Sequence, residues 1–153
     1  MHRLRVYVDT SVFGGVGDAR FAEASRRFFD GVKMGDIIAL LSAETLREPA
    51  KAPTFVQETW QGLPPEGVDE VPITREVEEL AEAYIRANVL GPASASDALH
   101  VATATVAGAD LIVSWNFKHI VNFRRIRGHN SVNVAQGYRA LTILSPLEID
   151  NED

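Results

Sequence analysis

The chain has 153 residues, with 21 acidic against 15 basic side chains and no cysteine. That length suits one domain over residues 1–153 able to bury roughly 70% of its unfolded surface, and the missing cysteine excludes disulfides, thiolate metal sites and thiol nucleophiles. No apolar run approaches the ~18 residues of a membrane span, and MHRLRVYVDTS lacks a signal-peptide layout, so a cytoplasmic protein with no membrane partner is expected.

Residues 4–8, LRVYV, are apolar, β-branched and aromatic, and predict a buried strand ending in Asp9. A glycine-containing loop, GGVGDAR, then leads into a helix with Phe21, Ala24, Phe28, Phe29 and Val32 on one face, closed near Gly35. DIIALLS (36–42) predicts a second strand, after which Ser42 can cap a helix through AETLRE that Pro49 kinks or stops. Residues 53–67 predict a helix and then a turn, and VDEVPI an edge-like segment whose pairing Pro72 limits.

ITREVEELAEAYIRANVLG sets Val77, Leu80, Ala81, Tyr84 and Ile85 against a glutamate face, which predicts an amphipathic helix stopped by Gly91. The alanine-rich SASDALHVATATVAG predicts a buried helix, ADLIVSW a strand, NFKHIVN a short helix and ALTIL a final strand. Strands alternating with helices argue for a three-layer α/β/α architecture around a mainly parallel sheet. Ligands of such sheets bind beyond the C-terminal ends of the strands.

Charge is distributed unevenly. Residues 1–110 carry 17 acids and 10 bases, whereas residues 111–147 carry five bases and no acid. Within that second region VSWNFKHIVNFRRIR holds Lys118, Arg124, Arg125 and Arg127 with three aromatic rings. An acidic site beside a basic tract is therefore expected, although net charge alone argues against a nonspecific nucleic-acid binder.

Four strand exits deliver oxygen-bearing side chains: Asp9-Thr10-Ser11, then Glu44 and Glu48 one helical turn apart, then Asp97 at the start of the alanine-rich helix, then Asn116. Clustered carboxylates repel unless a cation holds them, and oxygen donors without cysteine suit Mg²⁺ or Mn²⁺. Each residue also has a plainer reading. Asp9 can start a turn, SASD can be a capping box, Glu44 can favour a helix dipole and Glu48 can be a solvated surface acid. His100 reads as a hydrogen-bonded packing residue. Thr10, Ser11 and Ser114 can satisfy backbone groups or orient a carboxylate.

Taken together, DTSVF after an apolar strand, a glutamate beyond the second strand and SDALHVATATVAGADLIVSWNFKHIVN resemble the PIN-domain ribonucleases, especially VapC-type toxins of toxin–antitoxin pairs. The resemblance covers nearly the whole chain. It implies a parallel sheet with flanking helices, and an acid cluster binding Mg²⁺ or Mn²⁺ for RNA phosphodiester hydrolysis that leaves 3′-hydroxyl and 5′-phosphate ends. It places the acids at Asp9, Glu48 and Asp97, with Glu44 the alternative to Glu48. Many members carry a further acid where this chain has Asn116, so a one-metal site, or a weakly held second ion, is expected. It also implies a homodimer and allows for a cognate antitoxin.

Lys118, Arg124, Arg125 and Arg127 could then hold phosphates flanking the cleaved bond. Trp115, Phe117 and Phe123 could stack bases, although packing is the favoured reading for the aromatics. Two other functions remain open. One is a non-catalytic RNA- or protein-binding module, which Asn116 keeps in view. The other is a dehalogenase-like phosphatase with Asp9 as nucleophile, which would want a second acid where Ser11 stands.

Overall fold

The computed structural model describes residues 3–46 and 53–149. Its strands are β1 (Leu4–Val8), β2 (Ile37–Leu41), β3 (Val68–Glu70), β4 (Leu111–Val113) and β5 (Thr142–Leu144). They form one sheet in the order β3-β2-β1-β4-β5, and every neighbouring pair is parallel. β1 is central, with Val6 opposite both Ala39 and Leu111. The helices are α1 (Thr10–Gly15), α2 (Ala22–Lys33), α3 (Thr54–Gln61), α4 (Arg75–Arg86), α5 (Ala95–Val106) and α6 (Phe123–Ala135).

Residue alternation along the strands divides the core in two. Tyr7, Leu40, Ile112 and Ile143 pack with Leu80 and Tyr84 of α4, Val101 and Ala102 of α5, and Ile126 and Val132 of α6. Val6, Val8, Ala39, Leu41 and Val113 face the opposite way, onto Val12 and Phe13 of α1, Phe28 and Phe29 of α2, and Val56 and Trp60 of α3. The strands are apolar on both faces because helices cover both. This is the expected α/β architecture, and its sheet is parallel throughout. No helix among the described residues is long and apolar enough to cross a membrane.

Three local expectations change. The chain after β1 forms the short helix α1 before any loop begins. Asp9 caps it by accepting from the Ser11 amide, and Val12 and Phe13 drive its burial. Position 15 of α1 must be glycine because a Cβ there would stand 2.5 Å from Ser25 Oγ and 2.6 Å from Trp115 Nε1. Beyond β2, residues 43–46 are a turn, tied by Leu46 N donating to Ser42 O at 3.1 Å. The rest of the expected AETLRE helix, with Glu48 and Pro49, lies outside the described residues.

The third change concerns the basic tract. Residues 117–120 are a turn, and the helix begins later, at Phe123. Asn122 makes that boundary. Its Oδ1 caps the Arg125 amide at 2.9 Å, while Nδ2 donates to Phe117 O and Lys118 O. Sequence pattern hides α6 because it is polar, has β-branched residues and carries Gly128 in mid-helix. The glycine is needed, since Val89 would lie 2.9 Å from a Cβ.

α6 also buries His129, whose ring stands edge-on to Tyr84 at 4.8 Å. Neither ring nitrogen has a hydrogen-bond partner. Burial pushes its pKa down to about 4; the Arg125 charge adds to the fall, and the Arg125 carbonyl opposes it without forming a well-aligned bond. The neutral ring is thus favoured in the folded state. Its contribution is intact above the unfolded pKa near 6.5 and is lost as pH falls toward 4, by up to about 3 kcal/mol. Urea melts at about pH 7 and about pH 4.5 should show His129→Leu losing less stability than wild type over that interval. Parallel losses would mean that His129 does not resist protonation.

Candidate functional site

The C-terminal edge of the sheet carries a cleft of about 380 Å³ lined by Asp9, Thr10, Ser11, Glu44, Ser96, Asp97, His100 and Asn116. Parallel strands bring this about, because every strand exit opens on the same edge. Asp9 leaves β1, Glu44 sits in the turn after β2, Asp97 lies in the first turn of α5, and Asn116 follows β4.

Asp9 is buried, 4% exposed, and a buried carboxylate needs compensating donors. Its Oδ2 accepts from Ser11 Oγ at 2.6 Å and Ser114 Oγ at 2.8 Å, and His100 Nε2 lies 3.4 Å from its Oδ1. The turn-starting reading of Asp9 is seen directly, and the same carboxylate that caps α1 also faces the cleft. Ser11 and Ser114 both donate to it, and Ser11 Oγ also accepts from the Trp115 amide at 2.8 Å. Thr10 lies further out, its Oγ1 3.5 Å from His100 Nε2.

Asp97 is not the partner in a capping box. Ser94 stands at the N-cap without a side-chain capping bond. Asp97 instead crosses to the β4 exit, where Oδ1 accepts from Asn116 Nδ2 at 3.1 Å and Oδ2 pairs with His119 Nδ1 at 2.9 Å. Asn116 Oδ1 accepts from the His119 amide at 2.9 Å, and the Asn116 amide donates to Ser114 Oγ at 2.9 Å. His119 is a site residue that the pattern reading overlooked. Its signal was its position three residues after Asn116, where a turn returns it to the same place.

Glu44 accepts from Ser96 Oγ at 2.5 Å, which ties the turn after β2 to α5. Glu48 lies outside the described residues, so Glu44 is the acid from this segment seen at the cleft. Three carboxylates, an amide and several hydroxyls, with no sulfur, form a donor set of the kind hard divalent cations take. Yet no group of three acidic or histidine side chains among the described residues is arranged to hold an ion. Hydrogen bonds to Asn116 and His119 occupy both Asp97 oxygens.

The basic tract divides by role. Lys118, Arg124 and Arg127 are exposed. Arg125 turns inward and donates to Val89 O, tying α6 to the chain after α4. Arg127 stacks over Phe123, its guanidinium 5.5 Å from the ring centroid. Trp115 is packed: buried, stacked on Phe21 at 4.1 Å, with Nε1 donating to Ser25 Oγ at 2.8 Å. Ile120 is fully buried and Val121 and Ile126 lie against the core, but Phe117 and Phe123 are 46% and 73% exposed. The packing reading therefore holds for Trp115 and fails for those two.

No family model and no curated protein matches the sequence. Solved structures do. A VapBC2 complex from Rickettsia felis, crystallised with a promoter DNA fragment, contains a chain 12% identical, with a TM-score of 0.58 over 93% of this chain and 98% of its own. VapC20 of Mycobacterium tuberculosis, a sarcin–ricin-loop cleaving toxin, is 18% identical with a TM-score of 0.56 over 90% of this chain and 98% of its own. FitAcB of Neisseria gonorrhoeae is 14% identical with a TM-score of 0.57 over 94% of this chain and 99% of its own. The fold is thus that of the PIN-domain proteins. The neighbours in question are toxins of the VapC and FitB kind, and at these identities the likeness is one of fold.

The Asn116–Asp97 bond gives a direct test. Asn116→Asp replaces a donor at 3.1 Å by a second carboxylate. Stability in chelator should fall by on the order of 2 kcal/mol, read by thermal melting. An unchanged melting temperature would show that the amide does not hold Asp97.

Proposed function

We propose that the protein is a Mg²⁺- or Mn²⁺-dependent endoribonuclease, a hydrolase of RNA phosphodiester bonds, acting as the toxin of a toxin–antitoxin pair. The observation carrying this reading is the meeting of Asp9, Glu44, Asp97 and Asn116, from four separated segments, in one cleft of a PIN-type fold. The structural neighbours, one a toxin that cleaves the sarcin–ricin loop and others VapBC and FitAB assemblies, support the choice of RNA as substrate and of an antitoxin as partner. A homodimer in the cytoplasm completes the reading.

Asp9 and Asp97, with Glu44 or Glu48, would hold the cation. Stabilisation of phosphate charge and acidification of water are what Mg²⁺ or Mn²⁺ supplies when bound. The chain's own residues do the rest. Ser11 and Ser114 fix the Asp9 carboxylate, Asn116 and His119 fix that of Asp97, and the exposed Lys118, Arg124 and Arg127 would meet phosphates flanking the cleaved bond. Phe117, exposed and next to Asn116, offers a face to an unpaired base.

A second reading has one observation in its favour. Both Asp97 oxygens are already bonded within the protein, as suits a module that binds RNA or protein without cleaving it. Strand scission of single-stranded RNA in Mn²⁺, abolished by chelator, by Asp9→Asn and by Asp97→Asn in folded protein, decides for the nuclease. Binding without scission decides for the module.

Cation placement yields a separate expectation. Arg124→Gln and Arg127→Gln should each reduce the slope of log affinity against log salt by roughly 0.7 for single strands. Arg125→Gln should lower stability and leave that slope alone, because its guanidinium is engaged with Val89 O. Filter binding across a salt series reads all three, and equal slopes throughout would remove α6 from the RNA path.

A further inference from the structure

A buried polar wire runs beneath the cleft, on the α4–α5 face of the sheet. Tyr7, fully buried in β1, places its hydroxyl 2.7 Å from Ser42 Oγ and 2.7 Å from His100 Nδ1. Thr45 Oγ1 lies 3.3 Å from the same hydroxyl and donates to Val8 O at 3.2 Å. Ser42 and Thr45 also bond each other through their amides, and they flank Glu44. At the other end, His100 presents Nε2 to Asp9 Oδ1 at 3.4 Å.

We propose that Tyr7 and His100 are positioning residues that hold Asp9 and the Glu44-bearing turn in a single geometry, so that the acids from the first two strand exits are set together. The proposal deepens the metal-site reading and rests on it.

Counting protons fixes the direction of the wire. Tyr7 has one hydrogen to give, and a phenol keeps that hydrogen at neutral pH. If His100 Nδ1 carried the ring proton, the bare Nε2 lone pair would face a carboxylate oxygen, an unfavourable pairing in a buried site. The favourable arrangement has Ser42 Oγ donating to Tyr7, Tyr7 donating to Nδ1, and Nε2–H directed at Asp9. A hydroxyl one shell behind a ligand thus selects the tautomer of the ring that orients it. Because Tyr7 accepts from Ser42, the same oxygen anchors the turn that presents Glu44.

A merely structural hydroxyl would not do this, and the protein supplies its own control. Tyr84 is another fully buried tyrosine, bonded to Asn133 on α6 and remote from the cleft lining. Tyr7→Phe and Tyr84→Phe each remove one buried hydroxyl and keep the ring. Both should lower stability, yet only Tyr7→Phe should disturb the acids.

The test combines calorimetric Mn²⁺ titration with NMR of the imidazole nitrogens, His100 being assigned through His100→Gln. Tyr7→Phe is expected to weaken Mn²⁺ binding by about 10- to 100-fold, the range for loss of a group that orients a ligand, and to populate the Nδ1–H tautomer of His100. Tyr84→Phe is expected to match wild type in both. Ser42→Ala, which cuts the outer end of the wire, should weaken Mn²⁺ binding in the same direction and stands in if Tyr7→Phe does not fold. Unchanged Mn²⁺ affinity or an unchanged tautomer in folded Tyr7→Phe, or equal loss of affinity in Tyr84→Phe, overturns the proposal. Wild-type protein that binds no Mn²⁺ would sink the metal reading itself, and the His100 tautomer would then decide the wire alone.

Discussion

The Asp9 carboxylate is almost wholly removed from water at the end of the central strand, and much of the nearby structure answers that fact. Leaving such a group without partners would cost several kcal/mol. Hydroxyls from two directions meet it, Ser11 from the start of α1 and Ser114 from the end of β4, and His100 of α5 faces its other oxygen. These donors come from three parts of the chain and converge only when α1 and α5 lie on opposite faces of a finished sheet. Burial of the acid and correct assembly of the layers are therefore one condition.

The second acid is held differently. Asp97 is about one-fifth exposed at its side chain and meets an amide and an imidazole from the turn after β4. That turn is rigid for local reasons: Asn116 O accepts from the Ile120 and Val121 amides, its side chain accepts from His119, and Ile120 is fully buried. An asparagine where an acid might be expected thus has a positive role. It donates to Asp97, which aspartate could not do as a carboxylate, and so relieves repulsion that a fourth acid would add in the absence of a cation.

Much of this was legible in the residues. Strands LRVYV, IIALL and LIV announced themselves by apolar, β-branched content, α2 and α4 by periodicity, because each buries a face whose spacing repeats, and α5 by an alanine-rich run that is buried nearly all round. The strand-end acids could be listed from the same reading, since a parallel sheet assigns strand exits to one edge. α1 and α6 could not. α1 is too short to show a period, and α6 is amphipathic only weakly, its shape set by Asn122, by the contact of Gly128 with Val89 and by the Arg125 tie. The Asn122 cap is local, but the Gly128 and Arg125 contacts are tertiary and have no local signature. His119 escaped for the same reason: its role depends on a turn that the pattern rendered as helix.

The division of the basic tract follows from that correction. Read as a short helix over residues 116–122, the tract would present its cations as one surface. With the helix beginning at Phe123 instead, Lys118 sits on a turn beside Asn116, Arg125 points into the protein, and Arg124 and Arg127 face outward from α6. Asn122 sets this geometry by ending the turn and starting the helix with one side chain. The spacing of these cations is therefore governed by a neutral capping residue, which separates charges that net composition had only shown to be present.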